Sequence, residues 1–476
     1  MTNARARLSV LYFLQFAVWG CCLTCLGQLL GRGGLGADIA WFYAAVGFVS
    51  LLFPALLGHV ADRFLAPARV LGLCHLAAAV AMAAAWLYAT ANPQMRFAPF
   101  FTLWLLFLCC YMPTLALANT TTFALLARQG LRPVDTFPAI RVWGTVGFVA
   151  AMWLVNCAYW HDGSFGLTLN DMHPLAQYRF QYTPGMLLCS AVIGLVTFLY
   201  TLTLPSTPLA RMRGHSWPDV TGLRAFTLFK KGYLRQFLLL AVLAGVCLQI
   251  TNGFATPFIS HFMADPQYGG SGAAGNATML FSLSQVSEAV CVLLVPLAMN
   301  RLRIKWCMVL AMTAWALRYL LFAFGNPGDG LWMLILSMAV YGAAFNLFTV
   351  AGHLYMEQNT GEHNRGFGQG LMMLMSNGFG ASAGTLVAGA VVNRYCQWQT
   401  VTLPSGRTQP FFLGDWTSPL AHLRRLQPPA RHPIPTPLPS PESKKSGNPV
   451  LVRWIITFIS ARYRGRSAIN YCMIEI

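Results

Sequence analysis

The chain has 476 residues, 56% of them hydrophobic and only 10% charged, with a net charge of +18 and a mean hydropathy of +0.53. A soluble domain carries about 25% charged residues, so this composition excludes an ordinary soluble fold. The basic excess would suit nucleic acid by its size alone, but its placement along the chain assigns it to membrane lipid headgroups, with no nucleic acid partner.

At about 20 residues per crossing, eleven apolar blocks predict spanning helices near 8–30, 38–60, 69–91, 98–122, 138–160, 184–204, 235–258, 277–299, 304–324, 331–353 and 367–392. The first follows Arg5 and Arg7 as a signal peptide would, but it is too long for a signal core and no small-residue cleavage site closes it, so it reads as a retained helix. Arg63, Arg69, Arg128, Arg132, the stretch from Arg211 to Arg235, Arg301, Arg303, Lys305 and Arg365 fall in alternate connections. The opposite connections hold only Arg32, Arg96, Arg179, Arg394 and Arg407. This asymmetry places the amino terminus in the cytoplasm. The 13 cysteines sit mostly within blocks and show neither a disulfide framework nor a metal-ligand spacing, so they read as small apolar side chains.

Away from the block ends, Glu288 is the one carboxylate inside these blocks, and Gln285 shares its helical face one turn earlier. A charge at the bilayer centre costs about 2.5–3.5 kcal/mol even on insertion scales, so Glu288 marks a functional site and points to transport. Arg318, inside the ninth block, has no partner evident in sequence and reads as snorkelling to an interface; His75 reads as a structural hydrogen-bonding group.

The polar, basic connection at 205–234 divides the spans into six before and five after, which fits an all-α, polytopic fold of two six-helix halves, the major facilitator architecture. The expected domains are an N-terminal half (1–204), a cytoplasmic linker (205–234), a C-terminal half holding helices 7 to 11 (235–400) and an atypical tail (401–476). Gly58-His59-Val60-Ala61-Asp62-Arg63 resembles the G-x-x-x-D-R loop of that superfamily, with Gly58, Asp62 and Arg63 at its fixed positions between helices 2 and 3.

A closer resemblance is carried by Phe13-Leu14-Gln15-Phe16 with Trp19-Gly20, by Tyr111-Met112-Pro113-Thr114, by the run from Phe137 to Phe148, by Leu248-Gln249-Ile250-Thr251-Asn252, by Ser284-Gln285-Val286-Ser287-Glu288 and by Ser376-Asn377-Gly378-Phe379-Gly380. Together, in order from about residue 8 to 400, these resemble the bacterial nucleoside:proton symporters. The resemblance implies nucleoside uptake driven by protons, a monomer in the bacterial inner membrane, and no cofactor. It also implies a substrate pocket of Arg141, Thr145 and Phe148 on helix 5, Gln249 and Asn252 on helix 7, Gln285 and Glu288 on helix 8, and Tyr341 and Phe345 on helix 10. The spacings put each set on one helical face. Carboxamides suit the donor and acceptor edge of a base, charged groups bind hydroxyls strongly, and rings stack on the base. Taken singly, the amides also read as interhelical glue and the rings as core packing.

One position departs from the pattern. The family usually reads F-D-F-F-N on helix 10, and this chain has Phe345-Asn346-Leu347-Phe348-Thr349, so Asn346 is a polar pocket candidate and Glu288 alone remains to couple protons. The carboxyl end departs further: 417–448 is rich in proline and basic residues where a twelfth helix belongs, and 449–460 is too short to span. A codon set for residues 420–431 shifted by one nucleotide reads Trp-Leu-Ile-Phe-Ala-Gly-Tyr-Ser-Leu-Leu-Leu, so a frameshift explains a missing or altered helix 12. Residues 416–476 hold nine Lys and Arg against two Glu, seven of the eighteen net charges. Neither a Ser/His/Asp arrangement nor a phosphate-cradling G-x-x-x-x-G-K-[ST] loop is evident, so no enzyme is expected. The alternatives are a major facilitator carrier of another small polar solute, and a non-transporting binder or inactive frameshifted product.

Overall fold

The computed structural model describes residues 2–63, 66–131, 133–171, 173–205, 232–360, 371–403 and 408–414. Most of the expected linker and the tail from 415 onward, including the position of a twelfth helix, lie outside them. Among the described residues eleven helices are long and apolar enough to cross a bilayer: spans 1 to 11 are Ala4–Arg32, Gly36–Phe53, Pro67–Ala91, Phe97–Arg128, Ala139–Cys157, Gly185–Leu202, Leu234–Ala264, Ala277–Val295, Ile304–Phe324, Leu331–Met356 and Leu371–Tyr395.

Span packing repeats. Span 1 packs on 5, 2 on 4, and 3 on 4; six positions later, 7 packs on 11, 8 on 10, and 9 on 10. The contacts that join the two groups, 5 with 8 and 2 with 11, exchange under the same shift. Such a pattern is what parallel repeats facing one another produce. Span 6 covers spans 1 and 3; Leu239, Leu243, Trp306, Leu310 and Leu317, on the corresponding spans 7 and 9, stay exposed among the described residues.

Glycines set how closely the helices approach. A side chain at Gly147 would collide with the Phe13 carbonyl of span 1, and one at Gly245 with the Ser376 carbonyl of span 11. Span 11 is also widened: Leu374–Gly380 is a π-helical segment, a feature frequent at functional sites.

Several boundaries differ from expectation. Span 5 was expected to reach residue 160, but its helix stops at Cys157 because Ala158–His161 (β1) pairs antiparallel with Ser164–Leu167 (β2). Asp162-Gly163 closes that hairpin with φ of 46° and 76°, the turn an Asp-Gly pair favours. Gly58–Arg63 was expected as a loop; its backbone continues the helix Ile39–Arg63, since nothing after Gly58 breaks a helix before Pro67 opens the next one. The surroundings of Gly58 and the side chains of Asp62 and Arg63 lie outside the described residues. A second hairpin, Cys396–Thr402 (β3) with Thr408–Gly414 (β4), follows span 11.

Cross-group hydrogen bonds between described residues gather at one end of the bundle. Gln28 donates to Ser260 at 2.8 Å, Asn156 to Asn276 at 2.8 Å, Trp153 to Ser282 at 2.8 Å and Arg32 to Gln409 at 2.5 Å. Arg179, wholly buried between spans 5 and 6, donates to Asn276 Oδ1 at 2.8 Å and to the Gly275 carbonyl at 3.0 Å, and its charge pairs with Asp171. Trp398 of β3 wedges against Gly31 and Gly36, where any side chain would collide with its ring.

Candidate functional site

Spans 5, 8 and 10 bring six of the expected polar and aromatic residues together. On span 8, Val286, Val290, Leu293 and Leu297 form an exposed stripe, and helical geometry puts Glu288 about half a turn from it, toward the protein interior. Glu288 lies deep among protein atoms yet keeps partly accessible surface. The Arg141 guanidinium of span 5 acts on the Glu288 carboxylate across the junction of the two groups. Neither side chain has a hydrogen-bond or ion-pair partner among the described residues, so both retain capacity for a ligand. Arg141 is held instead over the Phe16 ring, 4.1 Å from its centroid.

Span 10 supplies the rings. Its exposed residues Trp332, Ile335 and Leu336 face away, and Tyr341 and Phe345 lie on the opposite side, stacked at 6.0 Å with planes 2° apart. Tyr341 stands beside both Gln285 and Glu288. Asn346 is 6% exposed and donates to the main-chain carbonyl of Glu288 at 2.9 Å, so it fastens span 10 to span 8 rather than facing free space.

The remaining candidates sit differently. On span 7, Asn252 donates to Gln249 at 3.3 Å; the neighbouring Leu248 shares a cleft with Phe345, and Thr251 reaches Tyr319, whose ring stacks on Trp315 beside Tyr341. Thr145 is half-buried, and Phe148 is nearly covered, packed in the core with Trp19 and Phe258.

Arg318 overturns its expectation. It is completely buried, not snorkelling: its Nη1 donates to the Ser337 carbonyl at 2.7 Å and to Ser284 Oγ at 3.3 Å, and its charge lies 4.8 Å from the Tyr341 ring centroid. Span 9 buries one face against spans 8 and 10, and serines on those spans receive the guanidinium; only pairing across spans, invisible in a linear sequence, could have revealed it. His75 behaves as expected, with Nε2 2.7 Å from Gln15 Oε1, which in turn ties to Thr114.

Repeated helix pairs, a polar cluster on faces turned from lipid and a seam closed at one end define a polytopic carrier of the major facilitator fold. The family described as nucleoside H+ symporter matches residues 2–405. Nucleoside permease NupG of Escherichia coli (strain K12) is 36% identical over 410 residues, covering 84% of this chain and 92% of that protein. Xanthosine permease from the same organism is 35% identical over 410 residues, covering 83% and 91%. The crystal structure of the nucleoside transporter NupG superposes with a TM-score of 0.71 at 36% identity, covering 83% of this chain and 92% of that one. The chain belongs to the nucleoside H+ symporter family.

Proposed function

We propose that this chain carries nucleosides into the cell together with protons, as a multi-pass protein of the bacterial inner membrane with its amino terminus in the cytoplasm. The observation that carries the reading is the meeting of Arg141, Gln285, Glu288, Tyr341 and Phe345 inside the bundle, where hydrocarbon would make unpaired polar groups costly and a ligand of mixed polarity makes them useful. Gln249, Asn252 and Gln285 take the base edge; Arg141, Thr145 and Glu288 take the ribose hydroxyls; Tyr341, Phe345 and Phe148 supply aromatic surface.

Glu288 is the proton site. Protonated, it loses its charge and its pull on Arg141, so proton and nucleoside occupancy are linked through one contact. The first six spans (1–204) and the second group (235–400) rock about the 205–234 linker. With the amino terminus inside, the end sealed by Arg179, Gln28 and Trp398 faces outward, and the site communicates with the cytoplasm. The expected partners are nucleoside, protons and lipid, with the protein acting as a monomer.

Counterflow of labelled uridine in proteoliposomes tests this reading. Unlabelled nucleosides inside drive uptake of label and sugars do not; label uptake driven equally by sugars, or none at all, contradicts it.

A further inference from the structure

We infer that Asn377, outside the candidate pocket and carried on the π-helical segment of span 11, is a further nucleoside-contacting residue that offers its carboxamide to the base edge on the inner half of the route. The inference rests on the nucleoside reading above. A cleft of about 470 Å³, counting the space open to solvent, runs between spans 7, 9, 10 and 11, and Phe345, Trp315, Phe348, Thr349 and Asn377 line it. Phe345 thus belongs both to this cleft and to the aromatic stack at Glu288, so the cleft adjoins that stack, and Asn377 lies on its lining.

The chemistry of Asn377 requires a polar partner. It is exposed although it lies inside a spanning helix, and it makes no side-chain hydrogen bond among the described residues, whereas neighbouring Ser376 donates to the Met372 carbonyl at 3.0 Å. A carboxamide left bare to hydrocarbon is costly, so this one faces water or substrate. It also offers two donors and an acceptor, the complement of a nucleobase edge, and Trp315 and Phe348 give the apolar faces.

The helical repeat supports the same placement. Gly147 of span 5 presses on the span 1 backbone at Phe13, and Gly380 of span 11 presses on the span 7 backbone at Val242. Asn377 precedes Gly380 by three residues, as Gly144, beside Thr145 and one turn from Arg141, precedes Gly147. Span 11 therefore presents Asn377 where span 5 presents its own substrate-facing turn. The π-helical segment, Leu374–Gly380, includes that turn.

Titration of purified Asn377→Ala with uridine, adenosine and inosine tests the inference, because a lost pair of hydrogen bonds lowers affinity about tenfold. The result expected is that loss with an unchanged melting temperature of the ligand-free protein, and partial recovery in Asn377→Gln. Parental affinity for all three nucleosides in Asn377→Ala overturns it. Should Asn377→Ala fail to fold, Asn377→Cys in membranes gives the second readout: a water-soluble thiol reagent labels it above the parental background and uridine slows the labelling. No labelling, or labelling indifferent to uridine, also overturns the inference. A parent protein that binds none of the three nucleosides instead overturns the nucleoside reading itself.

Discussion

Asn346 donates its side-chain amide to the main-chain carbonyl of Glu288 across 2.9 Å, so the residue standing where the family usually has an acid acts here as a clamp between spans 10 and 8. That clamp fixes the backbone of Glu288, the one carboxylate among the described residues of the candidate pocket. Replacing the amide by leucine removes one buried hydrogen bond, and the expected cost is about 1 kcal/mol. An ionised aspartate cannot donate, so Asn346→Asp fails to restore the bond. Thermal unfolding in detergent checks both: each variant melts below the parent, and a parental melting temperature in Asn346→Leu excludes the clamp.

Arg318 touches the candidate pocket through Tyr341. The guanidinium donates to the Ser337 carbonyl and Ser284 while lying over the Tyr341 ring, an arrangement that needs a planar fork and that an ammonium cannot reproduce. Arg318→Lys is expected to weaken uridine binding several-fold, and Arg318→Ala to lose about 1.5–3 kcal/mol of stability for each charged hydrogen bond removed. A uridine titration of the lysine variant checks the first effect and a melting curve of the alanine variant the second.

How much of this was legible in the sequence depends on the range of the interaction. The eleven spans follow from local composition, and Glu288 stood out because one acid in an apolar block is a local anomaly. The shared faces of Tyr341 with Phe345 and of Gln285 with Glu288 follow from helical periodicity. What sequence could not give is everything decided between spans. Arg318 finds serines from two other spans, Asn346 is spent on a backbone carbonyl of span 8, and the Asp162-Gly163 turn ends span 5 by pairing two short strands. The electrostatic coupling of Arg141 to Glu288 across the groups is of this second kind: the family resemblance put both in one pocket, but no property of either segment alone does so.

Arg179 governs the sealed end. Its buried guanidinium joins the segment between spans 5 and 6 to Gly275 and Asn276 at the start of span 8, and it also pairs with Asp171. Each hydrogen bond lost from such a charged group costs about 1.5–3 kcal/mol. Arg179→Ala is expected to loosen the seam, so that Cys25, fully buried and 3.4 Å from Thr278 Oγ1 across the groups, reacts with an impermeant thiol reagent that leaves it untouched in the parent. Equal protection of Cys25 in both proteins excludes this role.

The central claim is that Glu288 links proton and nucleoside movement, and gradient-driven uptake by Glu288→Gln in proteoliposomes tests it most directly. With an inward-directed proton gradient imposed, the exterior more acidic than the interior, the parent concentrates labelled uridine. The variant is expected only to equilibrate it. Accumulation by Glu288→Gln to the parental level under the same gradient contradicts the account.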